Sequence, residues 1–247
     1  MEDDSVPTLT DSLTQGDSKE PSDTRARGGS HGAGKKFDTS ISDAVKTTKE
    51  EQNRRVSAIT CGFRHDEHSA RVFLSDVSPK VRSAALGALA RMERATQQDV
   101  INALRDKAAE VRRAACELAT QLPSVELRAL LEDPDPRVVE ACAFALGECE
   151  ISEAVPALIS VVKDHGDPLC RETAVAALGN IGDDRSRGTI INALNDSVQI
   201  RRRALIALAN FSGEDVRQAI QDRLTDRDWQ VRQAAEDVIG INRTSTH

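Results

Sequence analysis

From residue 81 onward the chain repeats itself about every thirty residues, and that period limits what it can fold into. With Val81 as position zero, apolar residues follow at +3, +4, +7 and +8: Ala84, Ala85, Ala88 and Leu89. The same frame catches Val111, Ala114, Ala115, Leu118 and Ala119, and then Val138, Ala141, Cys142, Ala145 and Leu146. It recurs at Cys170, at Ile200 and at Val231, with successive anchors 30, 27, 32, 30 and 31 residues apart. A weaker copy starts at Asn53. Offsets 0, 3, 4, 7 and 8 trace one stripe of an α-helix, so each unit holds an amphipathic helix.

A second apolar stretch separates these helices: Gln98–Leu104, Val125–Leu131, Ala154–Val162, Ser186–Leu194 and Val216–Leu224. Each unit therefore reads as a helical hairpin that must stack on its neighbours to bury its faces. Ser78-Pro79, Asp135-Pro136 and Asp167-Pro168 put a capping side chain just before a proline at the first helical position. Ser197 and Asp228 fill the capping offset without proline. Gly147, Gly179 and Gly240, at +9, are expected to end their helices in the left-handed conformation. The expected architecture is all-α, a right-handed α-solenoid of six to seven hairpins.

The pattern Asp-x-x-Pro-x-Val-Arg-x-Ala-Ala-x-x-Ala-Leu-Gly resembles HEAT repeats of the short, phycobilisome-lyase-like type. The resemblance covers about residues 53–240. Arginine stands at +1 in Arg82, Arg112, Arg171, Arg201 and Arg232, with Val139 the exception. Aspartate stands at −5 in Asp76, Asp106, Asp133 and Asp226, while His165 and Asn195 depart. The resemblance implies that these residues form a structural ladder joining neighbouring hairpins.

Ahead of the repeats, residues 1–40 are rich in Ser, Thr, Asp, Gly and Pro. Such a segment buries too little apolar surface to offset its ordering entropy, so a disordered acidic tail is expected. Gly29 to Lys35 fits G-x-x-x-x-G-K, but Lys36 stands where a phosphate loop needs Ser or Thr, and no strand precedes it. A Gly-rich linker is the better account. The solenoid is expected over 41–240, with a degenerate first unit at 41–65 and clear units from about 66, leaving 241–247 as a C-terminal tail. Helical character is expected to begin near Ser40–Asp43. No apolar run approaches a membrane span and the first residues form no secretory leader, so a cytoplasmic, membrane-free location is expected.

The chain offers little catalytic chemistry. The architecture is also similar to deoxyhypusine hydroxylase, a likeness that would imply two irons held by repeated His-Glu pairs. No His-Glu dipeptide occurs here, and His65-Asp66-Glu67-His68 comes nearest. Cys61, His65 and His68 form a C-x3-H-x2-H group without an evident fourth ligand, read as a solvated loop beside a core cysteine. The other cysteines fall mostly on repeat-frame positions as small hydrophobes. No catalytic residue, metal or cofactor is therefore expected. The resemblance to bilin lyases implies a runner-up role, as accessory subunit of a cofactor-modifying enzyme.

Trp229 is read as an apolar cap on the last unit. The formal charge of −7 and a solvent face on which signs alternate (Lys80, Glu110 and Arg137 in one row) argue against nucleic acid. That face is expected to be concave and to bind a protein of unknown identity. Its candidate residues are Arg113, Glu140, Phe144, Glu172, Arg202 and Ile206.

Overall fold

The computed structural model describes residues 34–122 and 126–244, and every regular element among them is helical. The expected tail and the Gly29 end of the phosphate-loop look-alike lie outside the described residues up to position 33. The chain divides into two units, Met1–Val45 and Lys46–His247, and the repeats occupy the second. Helix α1 spans Gly34–Arg64, starting ahead of Ser40–Asp43 because no proline interrupts the sequence there.

Six hairpins follow. They are α2 (Glu67–Phe73) with α3 (Pro79–Arg91), α4 (Gln97–Leu104) with α5 (Ala109–Ala119), and a 3-10 turn at Arg128–Glu132 with α6 (Pro136–Glu148). Next come α7 (Val155–Asp164) with α8 (Pro168–Ile181), α9 (Arg187–Ala193) with α10 (Val198–Leu208), and α11 (Glu214–Asp222) with α12 (Trp229–Thr244). This is an α-solenoid. In the third hairpin, where Val125–Leu131 reads as a helix, only the 3-10 turn forms. The spacing from Val111 to Val138 is the shortest of the series.

The repeat frame is the core frame. Val81, Ala85 and Leu89 are buried, as are Val111, Ala115 and Ala119, and Ile200, Ala204 and Leu208. Position +5 adds a fourth buried row: Leu86, Cys116, Ala143, Val175 and Leu205. In the last unit this row carries the exposed Glu236, the polar outer face a terminal repeat needs. One apolar cluster runs from Leu86 to Val238 through all the later hairpins. Each fully buried Leu or Ile contributes about 1.5–3 kcal/mol, so the stack is held by summation along its length.

Asp135, Asp167 and Asp228 cap their helices, accepting from the backbone N–H of Arg137, Leu169 and Gln230. Ser78 and Ser197 do not cap with their side chains. Their own backbone N–H groups instead donate to Asp76 and Asp196, at 2.8 and 2.7 Å.

The glycines at +9 overturn expectation. Gly147 and Gly179 lie inside α6 and α8, buried, and neither has positive φ. A Cβ on Gly147 would stand 2.6 Å from the Cα of Ala177; one on Gly179 would stand 2.5 Å from the Cβ of Ala207. They are notches that receive the next second helix. Gly62 faces Ala88 in the same way at 3.0 Å. In each case the +9 glycine meets the +7 alanine of the following unit. Gly240 has nothing within 4 Å of its would-be Cβ. The left-handed glycine that ends α8 is Gly182, with φ of 66°. Trp229, read as an apolar cap, instead shows most of its surface to solvent, 64% exposed at the start of α12.

Candidate functional site

The arginines and aspartates of the repeat form a ladder. Arg82 donates from Nε and Nη2 to Asp106 at 2.8 and 2.7 Å, and from Nη1 to the carbonyls of Asp76 and Val77. Arg112 repeats this on Asp133 and the carbonyl of Asp106. Each arginine thus ties its own inter-helix loop to the loop of the next unit. Each aspartate also accepts the N–H two residues ahead, as Ala108 donates to Asp106. Arg201 reaches Asp226 at 3.0 Å with both side chains almost wholly buried. Asp76 takes its rung from Arg54, so the weak first copy is a true rung.

The three departures from the frame resolve in two ways. Asn195 does not serve at −5; Asp196, one residue later, receives Arg171 at 2.9 Å. Val139 and His165, the other two departures, are the two ends of one missing rung. Val139 is fully buried, and the ring Nδ1 of His165 accepts the N–H of Asp167 instead. Arg232 bonds the carbonyls of Asp226 and Arg227.

Burial raises the carboxyl of Asp106, but the Arg82 guanidinium and the Ala108 N–H outweigh it and hold the group below the usual range. Asp133 follows the same balance with Arg112. At Asp196 the Arg171 bond is the largest influence and lowers it outright. These groups stay ionised at neutral pH, each committed to an arginine and a backbone N–H.

On the solvent face of the second helices, a cavity of about 360 Å³ opens between α6 and α8. It brings together three of the candidate residues, Glu140, Phe144 and Glu172, and adds Glu148, Leu169, Thr173, Asn180 and Arg203. Phe144 and Leu169 are each half exposed, at 51% and 50%. Arg113, Arg202 and Ile206 lie outside this lining. Arg113 pairs with Glu117 along α5, and Arg202 reaches Gln230 at 3.5 Å. Glu148 and Leu169 were within reach of sequence reasoning, because they sit on the same helical face at +10 and −1.

A larger cavity, about 540 Å³, lies between α1 and α2 and is lined by Val56, Cys61, Arg64, Asp66, His68 and Val72 among others. Cys61 is buried and His65 sits at φ 57° in the turn. Among the described residues no group of three or more His, Cys, Asp or Glu is arranged to hold a metal ion. All five cysteines are free. Burial pushes the Cys170 thiol up to about 11, and the neighbouring Cys116 together with burial drives Cys142 higher still, so neither is a nucleophile at neutral pH.

Stacked hairpins, a buried Arg–Asp ladder and +9 notches are the features of HEAT-like repeats, and this chain carries repeats of that kind. The profile described as HEAT repeats matches residues 124–198, and one for a HEAT repeat associated with sister chromatid cohesion matches 210–238. Among solved structures it is similar to an engineered protein, at TM-score 0.55 and 17% identity over 71% of this chain and 97% of that one. It is similar also to the complex of CpcE and CpcF of phycocyanin lyase from Nostoc sp. PCC7120, at TM-score 0.54 and 22% identity, covering 70% of this chain and 76% of that one. A deoxyhypusine hydroxylase of Neurospora crassa is 27% identical over 107 residues, which are 42% of this chain but only 33% of the hydroxylase. No helix among the described residues is long and apolar enough to cross a membrane.

Proposed function

We propose that this chain is a non-enzymatic scaffold or adaptor that binds another protein on the concave face formed by its second helices. One observation carries the reading: Phe144 and Leu169 stand half exposed on neighbouring helices within a rim of carboxylates. Apolar anchors inside a polar rim are the anatomy of a protein interface. The ladder takes no part, since its carboxylates are committed to neighbouring units. Four of the five free thiols are buried, which suits a reducing compartment, and we place its work in the cytoplasm.

The test is a pull-down from the native source with wild type and Glu140→Lys/Glu172→Lys as paired baits. Proteins held by the wild type and released by the variant, at unchanged melting temperature, support the reading. Identical recovery by both baits removes this face as the interface.

A further inference from the structure

The cavity between α6 and α8 carries more negative charge than its own residues neutralise. Glu140, Glu148 and Glu172 line it, and Arg203 is the only cation among its lining residues. That arginine is already engaged with Glu172, at 3.4 Å. Glu148 accepts one long bond from the Asn180 amide, also at 3.4 Å. Glu140 is half-buried, and among the described residues no hydrogen bond or ion pair engages its carboxylate. The contrast with the ladder is sharp, for there every half-buried aspartate holds an arginine.

Phe144 completes the chemistry. It lies one helical turn from both Glu140 and Glu148, so its ring shares a face with the two carboxylates. A cation placed there meets negative charge at its edges and the negative face of an aromatic ring. The chain already builds such a contact within itself, with the Arg91 guanidinium 4.4 Å from the centroid of the Phe63 ring. Leu169, across the cavity on α8, offers an apolar surface beside it.

We propose that this cavity receives an arginine side chain from the protein partner, its guanidinium between Glu140 and Glu148 and over Phe144, while an adjoining apolar residue of the same segment packs on Leu169. A planar guanidinium can stack on a ring face while it donates to a carboxylate at its edge, which a compact ammonium does less well. The proposal rests on the second-helix face being the interface and names what that face selects.

The test is an NMR titration of the full chain with three capped tripeptides, Leu-Arg-Leu, Leu-Gln-Leu and Leu-Glu-Leu. The proposal expects saturable shifts of the Glu140–Glu148 and Leu169–Ala176 amides with Leu-Arg-Leu alone. Glu140→Gln, checked for an otherwise unchanged spectrum, should weaken that binding about tenfold. Equal binding of the glutamine or glutamate peptide at the same residues overturns the arginine assignment and leaves the face intact as an interface. Silence with all three peptides, with partner loss still seen in the paired pull-down, likewise overturns this inference and spares the broader reading. Shifts confined to other elements overturn it as well.

Discussion

Replacing Gly179 by alanine isolates the notch between repeats. In a helix interior this change gains about 1 kcal/mol from propensity and from the less flexible unfolded chain. Here the new methyl would lie 2.5 Å from the Ala207 Cβ and 2.8 Å from its Cα, against an ordinary contact of 3.4–4 Å. One of these atoms is backbone, so no rotamer change relieves it and α8 and α10 must move apart by about 1 Å. Overpacking of this kind costs about 1–3 kcal/mol, with the upper part of the range appropriate to a backbone clash. The net expectation is a loss of about 1–2 kcal/mol, seen as a melting temperature lower by about 3–6 °C. Gly87→Ala is the internal control: it lies mid-helix in α3 with nothing within 4 Å, and should raise the melting temperature by about 2–3 °C. Adding Ala207→Gly to Gly179→Ala removes the 2.5 Å contact but not the 2.8 Å one, so the double variant should lose less than the sum of the singles. Calorimetry or urea unfolding reads all four proteins. If Gly179→Ala is as stable as Gly87→Ala, or the double variant is simply additive, these glycines are not spacing devices.

The other predictions concern the ladder. Asp106→Ala should cost about 3 kcal/mol in urea unfolding, because it strips the Arg82 guanidinium and the Ala108 N–H of their acceptor; a loss under about 0.5 kcal/mol would make the rung ornamental. Asp106, Asp133 and Asp196 titrate below the usual 3.8 when folded, so the unfolded chain binds more protons. Their contribution is therefore full above about pH 4 and is lost as pH falls through the lowered folded values, which melting temperatures from pH 6 to pH 2 can follow. Val139→Arg alone buries an unpaired charge and should destabilise by about 3–5 kcal/mol. Pairing it with His165→Asp builds the missing rung and should recover most of that loss, giving a favourable coupling energy in the double-mutant cycle.

Most of the architecture follows from local pattern. The stripe at 0, 3, 4, 7 and 8 marks a buried helix face whatever lies opposite, and Asp-Pro dipeptides mark helix starts by stereochemistry confined to a few residues. The ladder positions emerge because the family pattern carries them. What escapes depends on distances between units. Gly179 looks like a helix terminator in one unit and becomes a notch only when Ala207 of the next is set against it. Asn195 was readable as a break in the aspartate row, but that Asp196, one residue later, restores the rung to Arg171 shows only in the folded loop. The 3-10 turn at Arg128–Glu132 carries an apolar pattern that does not differ from that of a full helix. Phe144 and Glu140 were readable as solvent-facing, while the cavity that unites them with Leu169 and Arg203 exists only once α6, α8 and α10 are stacked.

The junction lacking its rung is also the one under the cavity, since Val139 precedes Glu140 on α6 and His165 leads into α8. At the other junctions a directional ion pair resists relative rotation of adjoining units. Here Gly147 against Ala177 supplies a close bearing point and apolar packing supplies adhesion, with no Arg–Asp strut to set the angle. The register of α6 on α8 is therefore set by the shape of closely packed side chains, where its neighbours add a charged strut. The width of the cavity between Phe144 and Leu169 thus follows from the volumes that meet beneath it, above all at Gly147 and Ala177.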